Sequence, residues 1–162
     1  MNRQRIERLV EARNLEEVPA EDAEVAAIWA AALREWSDAS VQGLSVAGAF
    51  THVYQAAFRA GTAMVRAAGY RTRGAVGGHH YVTFYAVAAL AGAELEQIAD
   101  ALQGIRGGRH SALYGDEDEL EAEDLEKASA LVRNMLREVH RWLISARPAL
   151  SPRLTGLSAP NS

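Results

Sequence analysis

The chain has 162 residues, enough for one domain with a real core and short for two. Hydrophobic residues make up 49% of it, and the abundance of alanine among them favours close-packed helices over a sheet sandwich. The absence of cysteine excludes a disulfide framework, a thiolate nucleophile and Cys-ligated zinc, and a net charge of −4 confines any nucleic-acid affinity to a local basic patch.

The opening stretch MNRQRIERLVEARN is charged throughout and lacks the apolar core of a signal peptide. No segment approaches the roughly 20 uninterrupted apolar residues of a membrane span, so a cytoplasmic protein is expected. Helical periodicity recurs from end to end, whereas strand signals are nearly absent. A first helix is expected over Arg3–Arg13, with Ile6, Leu9 and Val10 on one face. Pro19 suits a first helical turn, and the acids after it favour the positive N-terminal end of a second helix. Val25, Ile28, Trp29, Leu33 and Trp36 mark the buried stripe of that helix, which runs up to the turn SDASVQG.

A third helix begins near Ser45 and stops at Gly69, a natural C-terminal cap. Its stripe is Phe50, Val53, Tyr54, Ala57, Gly61, Met64, Val65 and Ala68, and the small residues Ala56, Ala57, Ala60 and Gly61 allow another helix close approach. After the glycine-rich connection YRTRGAVGG, a shorter helix spans His80 to about Ala91 and carries Tyr81, Phe84, Val87 and Ala88. The next starts near Glu94, with Leu95, Ile98, Leu102 and Ile105 spaced as a helical stripe. Continuing the count places Arg109 where a core residue is due, just after two glycines that each cost a helix about 1 kcal/mol.

The last long helix covers roughly Glu121 to Ser145, its inner line formed by Leu125, Ala128, Val132, Met135, Val139 and Trp142. Acids crowd its start and arginines its end, matching the helix dipole. The final PALSPRLTGLSAPNS has no periodicity and reads as a mobile tail. The expected fold is an all-α, four- to five-helix up-and-down bundle over 19–147, with an N-terminal helical segment at 1–18 and a disordered tail at 148–162.

Four local features are candidates for function. In GIRGGRHSALYGD, Arg106 and Arg109 offer planar charged forks suited to phosphate, and His110 can transfer protons near neutral pH. The ordinary alternative is a helix end whose arginines meet terminal carbonyls while Tyr114 packs on the turn. His79 and His80, after a Gly-Gly pair, form a second candidate. They lack a ligand at i+3 or i+4 to complete a metal site, and a loop-to-helix junction or a partner contact fits them better. The acidic run around Asp116–Glu126 lacks the alternation and central glycine of a calcium loop. Arg133, Arg137 and Arg141, with His140 nearby, make a basic i, i+4 stripe able to track phosphates, although outer faces of bundles are commonly charged. No metal or cofactor motif is found, and triad, phosphate-loop and dinucleotide patterns are absent.

Two stretches carry a family resemblance: AFTHVYQAAFRAGTAMVRAAGYRTRGAVGGHHYVTFYAVAAL, residues 49–90, and IRGGRHSALYGD followed by an acid-started long helix. Together they resemble the prokaryotic HEPN superfamily, over roughly residues 20–146. The resemblance implies a four- or five-helix domain that often forms a homodimer with its Arg motifs facing each other. It also implies a toxin–antitoxin or defence setting, RNA as a ligand, and a minimal nucleotidyltransferase as a partner. In nuclease members an arginine is followed, after four to six residues, by a histidine that assists proton transfer.

This chain departs from that pattern. Only three residues separate Arg106 from His110, Arg109 touches His110 directly, and Tyr114 stands where the histidine belongs. A phenol with an ordinary pKa of about 10 is a poor general base at neutral pH. The expectation is therefore a HEPN-like protein that binds RNA, a nucleotide or a protein partner at Arg109, His110 and Tyr114. Two alternatives stand beside it: a metal-independent endoribonuclease using those residues, and a purely structural bundle in which they only build a dimer contact.

Overall fold

The computed structural model describes residues 1–73, 79–101, 104 and 120–160, with His79 described by its backbone alone. Helices dominate: α1 (Arg3–Glu11), α2 (Asp22–Asp38), α3 (Val46–Ala67), α4 (His79–Leu90), α5 (described at 93–101), α6 (Ala122–Ala146) and the short α7 (Ser151–Leu154). A single 3-10 turn, Pro148–Leu150, precedes α7. The all-α bundle expected from the sequence is the fold, and no helix among the described residues is long and apolar enough to cross a membrane.

Local chemistry explains where the long helices begin and end. The Ser45 hydroxyl accepts from the Gly48 amide at 3.1 Å, which satisfies one of the orphan donors at the start of α3. Gly69 adopts φ +88° just past the end of α3, a left-handed turn that a side chain would strain. At the start of α6, the Glu121 amide donates to the Asp124 carboxylate at 3.3 Å while the Glu121 side chain caps in return.

α3 is the centre of the bundle and packs against α2, α4 and α6. Its face of Ala56, Ala57, Ala60, Gly61 and Ala63 is fully buried. A Cβ on Gly61 would meet Val87 at 3.1 Å, Thr83 at 3.2 Å and Met135 at 3.6 Å, so three helices converge on this point. The close approach expected from the small residues is therefore made. α2 runs antiparallel to α3, because Glu35 near its end meets His52 and Arg59 while Glu24 near its start meets Arg66. It also runs antiparallel to α6, with Trp36 beside Arg133, Trp29 beside His140 and Asp22 beside Arg147.

Arg66 is a buried charge that holds several elements together. Its guanidinium bonds both Glu24 oxygens (2.8 and 3.1 Å) and the carbonyls of Val18 (2.8 Å), Tyr70 (3.0 Å) and Pro19 (3.3 Å). A buried guanidinium is tolerable only when its donors are satisfied in this way.

Three features differ from the sequence reading. Two three-residue strands, β1 (Leu15–Glu17) and β2 (Tyr70–Thr72), pair antiparallel with Leu15 opposite Thr72 and Glu17 opposite Tyr70. Tyr81, placed on the inner stripe of α4, is 53% exposed, and the buried face carries Val82, Phe84, Val87 and Leu90 instead. Residues 148–160, read as a mobile tail, continue the fold: Leu150 and Leu154 are buried in the core, and the Trp29 indole donates to the Leu157 carbonyl at 2.8 Å. Pro148 and Pro152 stand at the first positions of short helical turns, where a missing N–H costs little.

Candidate functional site

Arg106, Arg109, His110 and Tyr114 lie outside the described residues, as do Leu102 and Ile105 of the stripe that leads to them. The described part of α5 buries Leu95, Ile98 and Ala99, the phase from which the count to Arg109 starts. α5 is tied back to α1 by the Arg5–Glu96 ion pair, and α1 to α4 by the Asn2 amide on the Ala89 carbonyl at 2.6 Å.

Of the histidine pair, His79 opens α4 and its side chain lies outside the described residues. His80 is half-buried, its ring stacked on Phe58 at 4.0 Å and on Tyr54 at 5.4 Å. It therefore belongs to an aromatic layer between α3 and α4. Residues 74–78, which precede the pair, lie outside the described residues.

The basic stripe of α6 divides into parts with different partners. Arg141 pairs with Glu138 on its own helix. His140 stacks on Trp29 at 5.5 Å, and burial pushes its imidazole below the ordinary range, which favours the neutral ring. Arg133 sits over the Trp36 ring with its guanidinium carbon 5.8 Å from the centroid, and Arg137 donates to the Asn134 amide oxygen at 2.9 Å. Neither of these two has a carboxylate within ion-pair distance among the described residues.

Two open hollows share Arg133. One, of about 480 Å³, lies between α2, α3 and α6, with Trp36, Val53 and Leu125 among its apolar lining and the serines Ser37, Ser40 and Ser129 among its polar lining. The other, of about 380 Å³, runs along α6 past Leu131, Asn134 and Arg137. Trp36 and Arg133 stand far apart in sequence and meet only because α2 and α6 are antiparallel neighbours. No local spacing marks such a pair.

His52 was not singled out by the sequence reading. Its Nδ1 lies 2.9 Å from one Glu35 oxygen, while Arg59 donates to the other at 3.0 Å. Burial alone pushes the Glu35 carboxyl up, but the hydrogen bonds with His52 and Arg59 outweigh it and hold the group below the ordinary range. Glu35, Asp38 and His52 present ligand atoms within 4.8 Å of one another, the one such set among the described residues. Both Glu35 oxygens are already engaged, so a cation here would have to displace Arg59, and the arrangement works as an α2–α3 ion-pair cluster. The available signal was a Glu-x-x-Asp pair on one face of α2, which becomes a set only when α3 supplies the histidine.

Compared with known proteins, the chain matches no family model, no curated protein and no solved structure.

Proposed function

We propose that this chain is a HEPN-like bundle of a toxin–antitoxin or defence-type system that binds RNA, a nucleotide or a protein partner through Arg109, His110 and Tyr114. The observation that carries this reading is the segment IRGGRHSALYGD after α5, in which Arg109 falls on the line of Leu95, Ile98, Leu102 and Ile105. The burial of Leu95 and Ile98 supports the phase of that count. A charged fork on a stripe of core residues, preceded by two helix-weakening glycines, suits contact with something outside the chain's own core. The all-α bundle agrees with the fold of the family it resembles.

In this reading Arg109 holds a phosphate oxygen pair, His110 beside it donates or accepts a proton, and Arg106 adds a second cation. Tyr114 in the place of a histidine favours binding over cleavage, since a phenol is a weak base near neutral pH. A homodimer in the cytoplasm, with the two Arg109 side chains facing each other and a nucleotidyltransferase as partner, completes the proposal.

The test is a titration of single-stranded RNA and of a mononucleotide against the wild-type protein and Arg109→Ala, at low and moderate salt. Arg109→Ala is expected to weaken binding about tenfold or more and to flatten its salt dependence. Cleavage by the wild type that His110→Ala abolishes would replace binding by the endoribonuclease alternative. Failure of the wild type to bind or cut either ligand at low salt removes the nucleic-acid reading and leaves an interaction module.

A further inference from the structure

Arg133 and Arg137 stand one turn apart on α6, and both are oriented by uncharged neighbours. Arg133 lies over the Trp36 ring at 5.8 Å, and Arg137 is held by the Asn134 amide oxygen at 2.9 Å. Arg5, Arg59, Arg73 and Arg141 find carboxylates on Glu96, Glu35, Glu16 and Glu138, whereas Arg133 and Arg137 are held by an aromatic ring and an amide. Arg133 and Arg137 keep their charge uncompensated among the described residues while losing part of their freedom to move. That combination is what an anion-binding pair requires, because the entropy of ordering the side chains is already spent.

The contacts also leave the right donors available. Arg133 makes no hydrogen bond to another described residue, so the N–H groups of its guanidinium remain able to grip two oxygens of one anion. Asn134 accepts from Arg137 through its oxygen, which turns the amide nitrogen outward as a further donor. These groups line the hollow of about 380 Å³. On the other side of Arg133, the hollow of about 480 Å³ offers Trp36, Val53 and Leu125 for an apolar body and the hydroxyls of Ser37 and Ser129 for its polar substituents. Pockets of this size and mixed lining suit small organic ligands.

We infer that the two hollows joined at Arg133 form a binding site for a small organic phosphate, a phosphate monoester with a compact apolar or flat body. The phosphate sits between Arg133, Arg137 and Asn134, and the body enters the hollow at Trp36. The inference does not rest on the function proposed for Arg109. Two guanidinium groups and one amide suffice for a single phosphate and not for a run of them, which is why a small phosphate is assigned here and not a nucleic-acid strand.

Phenyl phosphate is the probe, with phenol and inorganic phosphate as its two halves and an RNA oligonucleotide as the competing source of phosphate. Titration of the full chain by calorimetry and by tryptophan fluorescence is expected to give saturable binding of phenyl phosphate at millimolar concentration or below. Arg133→Ala and Arg137→Ala should each weaken it about tenfold or more, and Arg133→Lys should recover only part of the loss because the fork is gone. Arg133 is exposed, so its replacement leaves the fold intact, which thermal melts verify. The assignment is overturned if phenyl phosphate does not bind, if it binds equally to both alanine variants, or if inorganic phosphate alone binds as well. It is also overturned if Arg133→Ala weakens RNA and not phenyl phosphate.

Discussion

Burial sets the charge of His140, whose ring stacks on Trp29 at 5.5 Å and whose pKa is pushed below its ordinary value. In the unfolded chain the imidazole titrates near pH 6.5, so below that pH the unfolded state binds more protons and stability falls. The carboxylates follow the same sign further down. Hydrogen bonding to Arg66 holds Glu24 low, and His52 and Arg59 hold Glu35 low against burial, so their stabilisation is complete above the ordinary carboxylate range. It is lost as pH falls through their folded values. Thermal melts should therefore show a flat Tm above neutrality, a first decline below about pH 6.5 and a second below about pH 4.5. His140→Phe, which keeps the stack and removes the titrating ring, should abolish the first decline and spare the second. A first decline that persists in this variant would contradict the role given to His140. None of this was legible in the sequence, where His140 reads as part of a basic stripe, because its neutrality depends on Trp29 from another helix.

At the scale of elements, the helices with strong periodicity were the legible ones. The stripe of α3 was read nearly residue for residue, and its small residues do allow three helices to converge at Gly61. Val at position 61 would press on Val87, Thr83 and Met135, so Gly61→Val should cost about 1–3 kcal/mol in denaturant unfolding. Unchanged stability would mean that the helices are free to separate. α4 was harder to read, since it is apolar on nearly every side and its pattern does not say which side faces inward. Tyr81 was accordingly assigned to the wrong face. The β1–β2 pair was missed for another reason: each strand is only three residues long, and Leu15 meets Thr72 across an intervening pair of helices. Periodicity carries no signal for so short and distant a contact.

The whole molecule is closed by the segment that looked least structured. Leu150 and Leu154 enter the core, the Leu157 carbonyl receives the Trp29 indole, and Arg147 bonds both Asp22 and the Ala20 carbonyl at 2.6 Å. Prolines and serines hid this, because a 3-10 turn and one short helical turn have no stripe to display. Leu150→Ala should cost about 2–5 kcal/mol by leaving a cavity in a fully buried position, and cutting the chain after Arg147 should cost more. A truncated chain as stable as the full one would show that the strap is not part of the core. The features on which function is proposed divide in the same manner. The Arg109 segment can be picked out from local spacing, whereas the Trp36–Arg133 hollow exists only where α2 and α6 meet.

Whether Arg109 serves a ligand and not the core is decided by RNA and mononucleotide affinity of the wild type against Arg109→Ala, with thermal stability measured on both. The account predicts equal stability and an affinity about tenfold or more lower, with a shallower dependence on salt. Equal affinity in the two proteins, or a loss of stability with no ligand bound by either, would contradict it.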